Sequence, residues 1–347
     1  MVIEKIIKKN ILQLEPYSSA RDEYQGKEGI FLDANENPND FDYARYPDPY
    51  QRKLKSRISE IRGVPEENIF LGNGSDEIID LLIRTTCEPG TDSILSLDPS
   101  YGMYKVSAAI NNVDIDLVEM TAELEVDVEQ LMLKLATEPK IVFICSPNNP
   151  NGAVIPNIII ENILQRASGL VVVDEAYIDF ADSQSWVSKL AEYDNLLVLQ
   201  TFSKAWAGAG LRVGMAFAQP WLVTILNKVK PPYNISTPAQ ELALEKLTNL
   251  PKLEESIELI KNERQRLAVF FEQLEIVEKV FPSQANFLLV RFQNADEVMK
   301  CLISNKVIVR NRSSQKQCNN TLRISVGTPR ENEQLMSLLT KFKNSKS

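Results

Sequence analysis

Leu170-Val171-Val172-Val173-Asp174-Glu175-Ala176-Tyr177 sets four apolar residues, three of them β-branched, directly before two carboxylates. A run apolar on both faces reads as a strand of a parallel sheet covered by helices on each side. Six more short runs have the same character: Ile69–Leu71, Ser93–Leu97, Val113–Val118, Ile141–Cys145, Leu196–Leu199 and Val213–Ala218. Helical periods lie between them over Glu77–Thr86, Tyr101–Ile110, Val128–Ala136 and Asn157–Ala167. The alternation predicts an α/β fold built on a doubly wound, mostly parallel, seven-stranded sheet.

After Pro238 the pattern changes to a long charged helix near Leu253–Leu274. Then come Asn286–Phe292, Asp296–Ile303, Val307–Val309, Thr321–Ser325 and Glu331–Phe342, read as strand, helix, strand, strand and helix. This predicts a smaller α+β domain. The expected division is an amino-terminal arm with part of the small domain over 1–38, a large α/β domain over 39–245 and the small domain over 246–347. A length of 347 residues agrees with about two domains. Val2, Ile3, Ile6, Ile7, Ile11 and Leu14, with Lys5, Lys8 and Lys9 between them, predict an amphipathic docking helix at the start.

Charge and composition exclude several functions. With 38 basic and 47 acidic residues the net charge is −9, and no basic block exists to hold nucleic acid or an anionic membrane. No apolar run approaches the ~20 residues that span a bilayer, so a soluble protein is expected. Histidine is absent, which removes imidazole-based triads and His-bearing metal sites. No metal is expected. Cys87, Cys145, Cys301 and Cys318 form no short-spaced pair and are expected to be reduced thiols in the cytoplasm.

Ligands of open α/β sheets gather beyond the carboxyl ends of the strands. Leu71-Gly72-Asn73-Gly74-Ser75-Asp76-Glu77 feeds a helix start, with Ser75 or Asp76 as expected N-cap, where backbone N–H groups can cradle an anion. Ser146-Pro147-Asn148-Asn149-Pro150-Asn151-Gly152 is a turn. Asp174 needs a cation or a proton, because an unpaired buried acid costs several kcal/mol. Thr201-Phe202-Ser203-Lys204 puts a lysine among apolar and glycine residues, where a lost proton would free its amine for an aldehyde. Arg323, in Leu322-Arg323-Ile324-Ser325-Val326-Gly327, can clamp a carboxylate. Singly, each is equally a capped turn, an internal ion pair, a solvated lysine or a surface arginine. Jointly, they are what pyridoxal 5'-phosphate requires: a lysine for its aldehyde, an acid for its ring nitrogen and donors for its phosphate.

The chain resembles the histidinol-phosphate aminotransferase family of fold type I pyridoxal-phosphate enzymes. The likeness runs through Pro16-Tyr17-Ser18-Ser19-Ala20-Arg21, Leu32-Asp33-Ala34-Asn35-Glu36-Asn37-Pro38, Arg45-Tyr46-Pro47-Asp48-Pro49, Pro99-Ser100-Tyr101-Gly102-Met103-Tyr104 and Leu322–Thr328. The resemblance implies transamination between L-histidinol phosphate and 2-oxoglutarate, giving imidazole-acetol phosphate and L-glutamate in histidine biosynthesis. It makes Lys204 the lysine that bonds the cofactor and shuttles its proton, Asp174 the partner of the ring nitrogen, and Asn149 and Tyr177 donors to the ring's phenolic oxygen. Tyr101 would stack on the ring, and Gly74, Ser75, Asp76, Ser203 and Arg212 would hold the phosphate. Tyr46 would reach that phosphate from the other subunit of a homodimer. Arg323 would hold the substrate's end group and Arg310 its phosphate, with Arg312 two residues away as an alternative to Arg310. Tyr17, Asn35 and Glu36 would line the substrate pocket. Asn151 departs from the family, which has threonine there.

Other readings on the same scaffold are an aromatic amino-acid aminotransferase and a threonine-phosphate decarboxylase. A regulatory module that senses amines would need an added DNA-binding segment, and the fourteen residues ahead of Glu15 are expected to leave no room for one.

Overall fold

The computed structural model describes residues 6–17, 29–39 and 41–344. In chain order its principal elements begin with α1 (Lys9–Gln13), α2 (Arg52–Arg62), β1 (Ile69–Asn73), α3 (Gly74–Thr86), β2 (Ser93–Asp98), α4 (Met103–Ile110) and β3 (Asp114–Glu119). They continue with α5 (Val128–Leu135), β4 (Ile141–Cys145), α6 (Asn157–Arg166), β5 (Leu170–Asp174), β6 (Leu196–Thr201), β7 (Val213–Ala218), α7 (Pro220–Val229) and α8 (Thr237–Lys246). The last are α9 (Leu250–Glu272), β8 (Val277–Val280), β9 (Phe287–Phe292), α10 (Ala295–Ser304), β10 (Arg310–Asn311), β11 (Thr321–Ser325) and α11 (Pro329–Asn344).

β1 to β7 form one sheet in the order β1-β7-β6-β5-β4-β2-β3, in which only β7 runs antiparallel to its neighbours. Both faces are buried. Val171, Val173, Val142 and Ile144 point into one apolar cluster, while Leu170, Val172, Ile141 and Phe143 point into the other. This alternation explains the unbroken apolar runs, each buried Val or Leu contributing roughly 1.5–3 kcal/mol. The apolar face of the amino-terminal segment docks here too, with Ile6, Ile7 and Ile11 buried in the second cluster. Val2 and Ile3 lie outside the described residues.

β8 to β11 form a four-stranded antiparallel sheet, β10-β11-β9-β8, with its own apolar cluster under α9, α10 and α11. Three differences from the expected pattern have physical causes. Val307–Val309 is not a strand: Lys306 takes φ +61°, and the N–H groups of Lys306 and Val307 turn back onto Ile303 and Leu302, closing the end of α10. Pairing starts at Arg310. β8 escapes the pattern reading because Val-Glu-Lys-Val is a short, partly polar edge strand with an irregular register. α3 starts at Gly74, with Asn73 as N-cap, so Ser75 and Asp76 lie in its first turn rather than at the cap. Glu77 Oε2 accepts the Asn73 N–H at 2.6 Å and completes that start.

Candidate active site

Five strand ends converge on one edge of the large sheet. The parallel register sets Cys145 beside Asp174 and Asp174 beside Leu199, and β1 ends where β7 begins, with Asn73 opposite Val213. The edge holds a cavity of ≈ 150 Å³, lined by Ser75, Asp76, Tyr101, Cys145, Asn149, Asp174, Ala176, Tyr177, Thr201, Ser203, Lys204, Ala209 and Arg212. Residues dispersed over nearly 140 positions of sequence meet there.

Asp174 is 2% exposed at the floor of this cavity. Its Oδ2 accepts the Tyr104 hydroxyl at 2.6 Å and its Oδ1 accepts the Ala176 N–H at 3.1 Å. Both donors are neutral. Burial pushes its pKa up to about 6, against the pull of these two hydrogen bonds. Lys204 lies in the turn between β6 and β7, with Nζ 5.6 Å from the centroid of the Tyr177 ring. Burial first, and Arg323 second, hold its pKa below the usual lysine value, while Asp174 and Asp76 pull the other way. Tyr177 is buried with its ring edge-on to Phe287 at 5.1 Å, so the small sheet forms part of its packing.

The first turn of α3 offers N–H groups without intrahelical acceptors. Arg212, itself at φ +54°, reaches over that turn, with Nη2 3.5 Å from Asp76 Oδ2. Only glycine suits position 74: its φ is +76°, and a Cβ there would lie 2.5 Å from Arg212 Nη2. Asp76 Oδ1 accepts the Tyr101 hydroxyl at 2.8 Å, which fixes the Tyr101 ring on the cavity wall. Thr201 Oγ1 donates to Ser203 Oγ at 3.0 Å.

The second sheet supplies arginines. Arg323 Nη1 donates to Asn149 Oδ1 at 2.7 Å, leaving the Asn149 amino group for the cavity. Arg310 lies opposite Arg323 in the β10–β11 register and is exposed. Arg312 is half-buried, its Nε is buried without a hydrogen-bond partner, and burial together with Arg323 and Arg310 lowers its pKa to about 10. Among the described residues no carboxylate forms an ion pair with any of the three. Such unbalanced positive charge suits an anionic ligand.

Four expected site residues lie elsewhere. Asn35, Glu36 and Tyr46 line a different cavity of ≈ 380 Å³, together with Tyr233 and Ser236. Tyr46 stacks on Tyr233 at 4.4 Å, while Glu36 takes the Arg45 guanidinium and the Tyr46 N–H at 2.7 and 2.6 Å. Tyr17 is 70% exposed, and Ser18–Arg21 of its motif fall outside the described residues. Asn151 points away from the cavity and bonds Asn148 and the Leu124 carbonyl, so it acts as a structural tie. The sequence reading missed Tyr104, Cys145 and Thr201. Tyr104 lies in the first turn of α4 and reads as an ordinary buried aromatic of that helix, so the pattern gave it no chemical role.

These groups fit pyridoxal 5'-phosphate. A buried carboxylate touched only by neutral donors suits a protonated ring nitrogen, a lysine of lowered pKa shares its cavity, and a helix start with an arginine suits the phosphate. The comparisons agree. Residues 31–339 match the family model of aminotransferase class I and II. The histidinol-phosphate aminotransferase of Cytophaga hutchinsonii is 49% identical over 344 residues, 98% of this chain and 99% of that protein. The crystal structure of the histidinol-phosphate aminotransferase from Clostridium acetobutylicum superimposes with a TM-score of 0.81 at 26% identity, covering 87% of this chain and 92% of the other. That from Sinorhizobium meliloti, in complex with pyridoxal-5'-phosphate, gives 0.78 at 24%, covering 88% and 85%.

Proposed function

The chain belongs to the class I and II aminotransferases and, within them, to the histidinol-phosphate aminotransferase family, and from that membership we propose how its residues divide the reaction. The enzyme depends on pyridoxal 5'-phosphate. It interconverts L-histidinol phosphate and 2-oxoglutarate with imidazole-acetol phosphate and L-glutamate, in histidine biosynthesis. When bound, the cofactor supplies an aldehyde that takes up the amine and a protonated ring that draws electrons from the substrate carbon.

Asp174 would hold the proton on the ring nitrogen. The Asn149 amino group and the Tyr177 hydroxyl would bind the phenolic oxygen, and Tyr101 would lie against the ring. The first-turn N–H groups of α3, the hydroxyls of Ser75 and Ser203 and the Arg212 guanidinium would take the phosphate, with Asp76 keeping Arg212 and Tyr101 in place. Lys204 Nζ would bond the resting cofactor and, once displaced by the substrate amine, carry the proton between the two reacting carbons. Its lowered pKa favours the neutral amine that both tasks need. Arg323 would clamp the substrate's end group and Arg310 its phosphate.

A homodimer in the cytoplasm completes the proposal. Tyr46 of the partner subunit would reach the phosphate, and Tyr17, Asn35 and Glu36 would border the substrate pocket. The half-exposed Tyr46 and its separate cavity support an incomplete site in one chain.

One observation carries the reading: Lys204 and Asp174 line one cavity, whose wall includes Asn149, held by the Arg323 guanidinium at its edge. The test is glutamate formation from histidinol phosphate and 2-oxoglutarate. Turnover confined to phenylalanine or tyrosine, or release of carbon dioxide from threonine phosphate, would overturn it.

A further inference from the structure

The geometry points to Tyr104 as a positioning residue for Asp174: a neutral donor that fixes the acid from behind and leaves its charge for a cation bound in the cavity. The inference rests on the cofactor reading above.

Tyr104 is 1% exposed, and its ring is held on two sides. It stacks on Phe143 of β4 at 4.6 Å and meets the edge of Tyr101 at 5.6 Å. That packing aims its hydroxyl at Asp174 Oδ2, 2.6 Å away. The only other donor to this carboxylate among the described residues is the Ala176 backbone N–H, so Tyr104 is its one side-chain donor. Cys145 of β4, beside Asp174, donates toward the Pro147 carbonyl at 3.3 Å and also faces the Tyr104 hydroxyl. The remaining charged and titratable groups facing Asp174 are Lys204 from the β6–β7 turn, Asp76 from the start of α3, and Tyr101 and Tyr177.

The choice of a phenol has a physical logic. A lysine or arginine at this position would neutralise Asp174 and compete with the ring nitrogen for it. With no donor at all, burial would drive the acid to bind its own proton, and a neutral acid cannot hold a cation. A phenol supports the anion without cancelling it. Because burial and Asp174 hold the Tyr104 hydroxyl in its protonated form, it stays a donor across the working range. The same ring braces Tyr101, so one residue aligns both the wall and the floor of the cavity.

The experiment titrates cofactor-free wild type and Tyr104→Phe with pyridoxal 5'-phosphate between pH 5 and 9, reading the Kd from visible absorbance. Phenylalanine keeps the ring and its stacking. We expect Kd about tenfold higher near pH 7, as for one lost bond to a charged group. The acid limb of the Kd profile should also move up by about one pH unit. In an Asp174→Asn background the same change should add nothing. Superimposed profiles, a loss equal at every pH, or an undiminished effect beside Asp174→Asn would each overturn the inference. If Tyr104→Phe fails to fold, 3-fluorotyrosine placed at position 104, a stronger donor of nearly the same shape, must move the limb the opposite way. No movement there also overturns it. A wild type that does not bind the cofactor would instead overturn the cofactor reading.

Discussion

Arg323 and Asn149 are hydrogen-bonded across the seam between the two sheets, Nη1 to Oδ1 at 2.7 Å. Asn149 follows β4 and Arg323 lies within β11, so this contact ties the proposed substrate end of the site to the proposed cofactor end. The amide cannot turn its oxygen toward the cavity without breaking the bond. Arg323→Lys should therefore damage both functions. A lysine cannot serve Asn149 and an anion with separate faces of one planar fork. We expect kcat/KM for histidinol phosphate to fall about 100-fold, roughly 3 kcal/mol, with a severalfold rise in cofactor Kd. A pure substrate effect with unchanged cofactor Kd would show that Asn149 orients itself.

Lys204→Ala should abolish transamination together with the visible absorbance of covalently held cofactor. With no histidine anywhere in the chain, no imidazole stands by to carry the proton. Residual single-turnover rates should lie at least a thousandfold below wild type, and added small amines should restore part of them by standing in for Nζ. The side chain is half-buried and forms no ion pair among the described residues, so the melting temperature should change by only a few degrees. Catalysis within tenfold of wild type would show that another base moves the proton.

The large sheet was legible because burial on both faces leaves each strand an uninterrupted apolar run, as in Leu170–Val173. The edge strand β8 has no such constraint and left no signal. The start of α3 misled for a local reason: Ser75 and Asp76 are good capping residues, yet the Glu77 side chain turns back to Asn73 and moves the helix start to Gly74. Lys204 and Asp174 were readable by chemistry, as a lysine and an acid at strand ends. Tyr104 was not, because an aromatic in an ordinary helical period looks like core until its partner seventy residues away is known. Tyr46, Asn35 and Glu36 became candidates through family likeness alone, and in one chain they sit apart from Lys204.

Arg310 and Arg312 can be separated by substrate choice. Arg310 is exposed and faces Arg323 across the β10–β11 pair, where a phosphate could bridge the two. Arg310→Ala should raise KM for histidinol phosphate by tenfold or more and leave unphosphorylated amines nearly unaffected. Arg312 carries a buried, unpartnered Nε and is repelled by both neighbours. Arg312→Ala should raise the same KM less and relieve some of that repulsion. A larger, phosphate-specific defect in Arg312→Ala would transfer the role to Arg312. Equal damage with both amine classes would remove it from Arg310.

Asp174 makes the cofactor-free enzyme sensitive to pH in a direction opposite to most carboxylates. Its pKa rises from 3.8 to about 6 on folding, so the folded chain binds that proton more tightly than the unfolded one. The resulting stabilisation is complete below about pH 4 and lost as the pH passes about 6, a change on the order of 3 kcal/mol. Glu175, pushed up to about 7 by burial, adds a loss of the same sign just above it. Comparing wild type with Asp174→Asn cancels the Glu175 part, since both proteins carry it. Without cofactor, wild type should lose melting temperature relative to Asp174→Asn between pH 4 and 7. Saturating pyridoxal 5'-phosphate should reverse the difference at pH 7, because the acid then faces a protonated ring. Parallel curves without cofactor would mean that Asp174 stays ionised at the floor of the cavity despite its burial.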